Sequence, residues 1–171
     1  MAESKISMLG LNLSTLVQMT DQGTRKRSQL CQARVAHTTD GEDGGVPYME
    51  VISIAHCKES KHSYVVTYRF SNPDNNKISM VQHPTWVRCS CPSFLYRLEV
   101  ALSKHGSSDV YYSNGRYPMI RNPKLRPYLC KHLMVSLSGA VNELKERKKT
   151  ETLTEKAKKI PEFIRRLLRK K

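Results

Sequence analysis

Two short clusters hold the residues best suited to chemistry, Cys89-Ser90-Cys91 and Cys130-Lys131-His132. Three thiols and an imidazole are the donor types of a closed, tetrahedral structural zinc site. Residues two apart in a strand face the same way, so Cys89 and Cys91 can offer both sulfurs to one ion from a single extended segment. Cys130 and His132 precede the apolar run Leu133, Met134, Val135 and Leu137, which reads as a helix. The positive end of that helix's dipole favours thiolate, the metal-binding form, over thiol.

The elements that must position these ligands are legible around them. Residues 29–38, 47–56, 63–70 and 77–89 are β-branched-rich or alternating and predict four strands. The Gly- and Asp-rich 40–45 and the Asn-rich 71–76 predict loops between them, giving a small antiparallel sheet in an α+β fold. Residues 1–28 read as an arm in which Leu9, Leu11 and Leu13 alternate before the basic cluster Arg25-Lys26-Arg27, either a phosphate contact or a solvated stretch.

Between the two ligand pairs lie 38 residues, 92–129. Pro92 in a first turn, an apolar face from Phe94 to Leu102 and Gly106 beyond predict a helix over 92–104. Asn114-Gly115 between the aromatic runs at Tyr111, Tyr112 and Tyr117 predicts a two-residue hairpin turn. Pro118, Pro123 and Pro127 should keep 118–127 extended and poor in regular hydrogen bonds. Tyr111, Tyr112 and Tyr117 interleaved with Arg116, Arg121, Lys124 and Arg126 suit base stacking with phosphate contacts. They suit a protein interface equally, and a third reading has the tyrosines covering the spacer against the metal core.

The order C-x-C, spacer, C-x-H resembles the SWIM-type zinc finger, a strand-strand-helix module, over residues 64–137. Residues 63–70 and 85–94 look like its strand pair, and Leu129-Cys130-Lys131-His132-Leu133 like its closing turn into helix. The spacer is longer than is usual in the family, and in this it is similar to long-spacer versions in small proteins of tailed bacteriophages. The resemblance implies a module that binds DNA or proteins. The long spacer also leaves room for a further ligand, and His105 lies within it.

A disulfide framework is the chemical rival to a metal site. Five cysteines, an odd number, and no unbroken apolar core in residues 6–19 argue against it, and point to a reducing, intracellular setting in a host's cytoplasm or nucleoid. Cys31 and Cys57 lie outside the motif, and a plain structural role is the expected reading for Cys57. His56 beside Cys57, with His62 near, raises a second metal site or a Cys-His nucleophile. Neighbouring residues of a strand face apart, however, and no third group orients a nucleophile.

The formal net charge of +14 over 171 residues favours a polyanion or an acidic protein surface as partner. Residues 143–171 carry twelve Lys or Arg against five Glu, half of that excess. The helix after His132 is expected to break at 150–154 and a second to start at Thr152 with Glu155 in a capping box. Ile160, Phe163, Ile164, Leu167 and Leu168 would then form one apolar stripe, with Lys158, Lys159, Arg165, Arg166, Arg169, Lys170 and Lys171 free to face phosphates. Packing of the stripe on its own domain or a neighbouring subunit is the plainest outcome, and a membrane-surface role the rarer one.

The expected organisation is an arm over 1–28, a zinc-binding α+β domain over 29–142 and a basic helical tail over 143–171. No run has the length of a membrane span, and no phosphate loop, dinucleotide fingerprint or nucleophile elbow is present. Four protein ligands would leave zinc no open position for catalysis. Two function classes follow: a non-enzymatic module that binds DNA or RNA, and a structural or interaction protein, such as a phage virion component contacting acidic subunits.

Overall fold

The computed structural model describes residues 10–158 except 59 and 112, with 151 and 153–158 described by backbone alone. Four strands, β1 (Cys31–Asp43), β2 (Val46–Cys57), β3 (Ser63–Ser71) and β4 (Thr85–Cys89), form one antiparallel sheet in sequential order. Helices α1 (Leu13–Met19) and α2 (Gln22–Ser28) precede it, α3 (Pro92–Arg97) and α4 (Glu99–Ser103) follow it, and α5 (Lys131–Lys158) closes the fold. The α+β class expected from the sequence is the one observed.

Alternation decides which face of the sheet is covered. Met49, Val51, Ala55 and Cys57 on β2, Val66, Tyr68 and Phe70 on β3, and Val87 and Cys89 on β4 are buried together. Onto that face α5 lays Leu133, Ala140 and Leu144, spaced as one helical stripe. The Tyr68 hydroxyl donates to the Leu133 carbonyl at 2.6 Å, tying mid-sheet to the first turn of α5. On the other face Arg69 pairs with Glu50 and lies over the Tyr48 and Trp86 rings.

Several expectations are corrected. The loop expected over 40–45 is only Gly44-Gly45, both at positive φ, because Asp43 still pairs with Val46 and the two glycines make the whole hairpin turn. The strand expected over 77–89 forms only at its end. Ahead of it the chain makes a 3-10 turn (Met80–Gln82), and Thr85 donates its N–H to the Leu11 carbonyl as the strand begins. The helix expected over 92–104 is broken at Leu98, where the Arg97 carbonyl accepts from Asn122 Nδ2 instead of continuing the ladder.

No break occurs at 150–154. The helix runs on through Lys158. Arg147 pairs with Asp40 and Asp74, and Lys148 donates to the Ile78 and Asn75 carbonyls. These two cations of the basic segment therefore clamp α5 to the β1–β2 hairpin and the β3–β4 loop. The apolar stripe at 160–168 lies outside the described residues.

Two short helices, α1 and α2, form within residues 11–28 rather than a solvated arm. Asn12 and Asp21 cap α1 and α2 through their side chains, and Leu13 and Leu16 join the core. Arg25 donates to the Thr20 and Val17 carbonyls, which removes it from the candidate phosphate contacts.

Candidate metal centre

Cys89 ends β4, and Ser90 then pairs with Val65 through both its N–H and its Oγ, each at 3.0 Å. That pairing keeps the chain extended into Cys91, which is the N-cap of α3 and whose Sγ accepts from the Phe94 N–H at 3.3 Å. Cys130 takes the same role for α5. Its carbonyl accepts the first helical bond, from Met134, and its sulfur accepts from Leu133. His132 follows one residue into the helix.

The four side chains converge. Their donor atoms lie within 4.8 Å of one another and all four residues are buried, so Cys89, Cys91, Cys130 and His132 could hold a metal ion. Cys89 Sγ is 3.9 Å from His132 Nδ1, just beyond the roughly 3.3–3.8 Å between ligand atoms of a tetrahedral site with metal–ligand bonds of about 2.0–2.3 Å. Hydrogen bonds from the Cys130 and Cys89 thiols, with help from the Phe94 N–H, hold the Cys91 thiol far below its ordinary value. Burial, which penalises the charged form, pushes Cys89 and Cys130 up, and repulsion from neighbouring thiolates adds to it. A divalent cation held by these residues would favour the thiolate form of all three cysteines.

The Tyr64 ring covers the His132 imidazole, with centroids 4.4 Å apart, and His132 Nε2 is buried without a partner. His105, considered as a further ligand, is exposed and outside the cluster. Cys31 and Cys57, in a chain for which no disulfide was expected, face each other across β1 and β2 and form one. An odd count of five was therefore no argument against a bridge, because three thiols at the centre and one bridge account for all. The bridge lies against His132. His56 is exposed beside buried Cys57, as alternation requires, and neither it nor His62 belongs to a cluster.

The candidate binding residues of the insert are scattered. Tyr111 lies under Arg88 at 4.3 Å and Tyr117 under Lys104 at 4.5 Å, so both rings already hold a cation of this chain. Asn114 and Gly115 have the positive φ of the expected turn, which Arg116 N–H closes onto the Ser113 carbonyl, but no strands pair on either side of it among the described residues. Arg116, Lys124 and Arg126 are exposed on this irregular segment, and Tyr112 lies outside the described residues. The backbone of Lys158 is helical, while Lys159, Arg165, Arg166 and Arg169 lie outside the described residues.

Arg121 is the exception. It lines a cleft of about 430 Å³ at the mouth of the metal centre, together with Arg27, Arg97 and Lys131. Arg27 belongs to the basic cluster noted in the sequence, whereas Arg97 and Lys131 were missed because they come from α3 and the start of α5, with no shared pattern in the chain. No helix among the described residues is long and apolar enough to cross a membrane. No family model, curated protein or solved structure matches the chain.

Proposed function

We propose that this protein is a non-enzymatic zinc-binding module of SWIM type that binds nucleic acid through a basic surface. The observation that carries the reading is the convergence of Cys89, Cys91, Cys130 and His132 in one buried cluster, next to a cleft lined by four cations. Three sulfurs and one nitrogen without an oxygen donor suit Zn2+. Bound there, zinc ties the end of β4 to the first turns of α3 and α5 and completes a closed shell, a structural role. The net charge of +14 supplies the long-range attraction to a polyanion.

The test is binding of the zinc-loaded protein to labelled single-stranded and duplex DNA or RNA across a salt series. Affinity should fall linearly on a log-log plot, with a slope reporting the phosphates neutralised. Absence of binding at low salt would remove this reading.

A second reading, a structural or interaction protein such as a phage virion component, is favoured by one feature. The insert exposes Tyr96, Met119 and Ile120, the last at 91%. A virion component would occur at fixed, symmetry-related copy number in purified particles.

A further inference from the structure

We infer that the cleft formed by Arg27, Arg97, Arg121 and Lys131 beside the metal centre is the seat of the nucleic-acid backbone, binding consecutive phosphodiesters of a single strand. This rests on the nucleic-acid reading above and adds to it a location.

The first argument is the contrast between this protein's cations. Arg69 has Glu50, and Arg147 has Asp40 and Asp74. Among the described residues, none of the four cations of the cleft is in a salt bridge. Asp21, the one carboxylate lining the cleft, caps α2 by accepting from the Thr24 N–H at 2.8 Å and the Thr24 hydroxyl at 2.6 Å, and it feels the charge of Arg27, which also donates to the Thr24 hydroxyl, while Arg97 bonds the Tyr128 hydroxyl. A divalent ion held by three thiolates and an imidazole would leave that site with one net negative charge. Together with Asp21 this still leaves the cleft a positive surplus, which needs an anion of more than one charge to balance it.

The second argument is that the arrangement is built. Asn122 is buried at 5% exposure, donates through Nδ2 to the carbonyls of Arg97 at 2.9 Å and Arg126 at 3.0 Å, and accepts from the Arg126 N–H at 3.0 Å. That clamp brings the far end of the insert onto α3 and so sets Arg121 beside Arg97. It also holds Leu125 at φ 47°, a left-handed conformation that costs an L-residue about 1–2 kcal/mol. Across the cleft, Leu129 N–H donates to the buried Thr20 hydroxyl at 3.0 Å, which joins the same segment to the α1–α2 turn.

The third argument is size and ligand chemistry. The cleft volume falls within the range of small-ligand sites and admits a nucleotide unit. Three of the four cations are arginines, whose planar forks bind phosphate oxygens in pairs. The 28-residue α5 begins at the cleft, adding the partial positive charge of its first turn to that of Lys131. Tyr128 and Tyr64, the latter packed on His132, also line the cleft and put aromatic side chains beside the cations.

The experiment compares two charge-matched variants of the full zinc-loaded chain, R27Q/R97Q/R121Q in the cleft and R165Q/R166Q/R169Q in the tail, for binding to an oligo(dT) across salt. The cleft variant should bind at least tenfold more weakly, with the salt slope lower by about 2, since each phosphate contact with single strands contributes about 0.7. The tail variant should retain most of the slope. An undiminished cleft variant beside a weakened tail variant would overturn the cleft and leave the nucleic-acid reading standing; no binding by the wild-type protein would remove both. A readout on the wild-type chain guards against misfolding of the variant. Oligo(dT) should protect Arg27, Arg97 and Arg121 from a dicarbonyl reagent, mapped by mass spectrometry. Modification at an unchanged rate, or stronger protection by poly-glutamate than by oligo(dT), would overturn the inference.

Discussion

The sheet side of the metal centre and the far half of the insert, residues 107–127, are held by different forces. On the sheet side, β2, β3 and β4 press a continuous apolar face onto Leu133, Ala140 and Leu144 of α5. Among the described residues of the far half of the insert no helix or strand forms, and the chain depends on a few polar ties. Ser113 N–H donates to the buried Glu99 carboxylate at 2.7 Å, and Asn122 clamps the other end. Apolar contact is non-directional and shared among many residues, so it survives the loss of any one; a polar tie fails singly. Local opening should therefore begin in the insert, whose two ends are fixed by Cys91 and Cys130.

The comparison is tested hardest by taking the metal site apart. Cys130→Ser should lower zinc content and melting temperature together, by several kcal/mol of stability, because binding of a structural metal is coupled to folding. Limited proteolysis of this variant should nick 107–127 before the sheet. Earlier cleavage in β2 or β3 would mean that the centre supports the sheet rather than the insert, and unchanged zinc would remove Cys130 from the ligand set.

A smaller and more local effect is expected from Asn122→Ala. It leaves the Arg97 and Arg126 carbonyls without their donor and should cost about 1–3 kcal/mol. Hydrogen exchange should quicken around 121–126 while zinc content holds. Exchange that also quickens across β2 and β3 would break the division between the two regions.

The smallest effect belongs to the sheet side. Buried His83, whose Nδ1 lies 3.1 Å from the Ser71 carbonyl, is held below its ordinary pKa by burial. As pH falls through the ordinary histidine value near 6.5, the unfolded chain takes up a proton that folded His83 resists. Stability should then decline until the lower folded-state value is passed. Chemical denaturation at several pH values should show His83→Gln with a flatter profile over that window, and equal slopes would assign the dependence elsewhere.

Much of the frame was legible because it rests on neighbours in the chain. The alternation of Met49, Val51, Ser53 and Ala55 marks β2 and its buried face without reference to any other segment. The same holds for Ser63–Ser71. The break assigned to 150–154 went wrong for a non-local reason: its Thr and Glu residues resemble a helix start, yet the turns just before them are pinned by Asp40, Asp74 and the Ile78 carbonyl. The absent hairpin at 114–115 has a similar cause. Its flanking tyrosines are engaged by Arg88 and Lys104, so turn chemistry alone did not bring two strands together.

By itself the sequence determined the α+β class, the run of strands and the identity of four residues able to share a metal, because period, spacing and donor type are local properties. Tertiary structure alone decided that Cys31 meets Cys57, since that depends on the register between β1 and β2. It alone gathered Arg27, Arg97, Arg121 and Lys131 at one cleft. Their separations along the chain carry no period, and only the packing of α2, α3, the insert and α5 around one centre makes them neighbours.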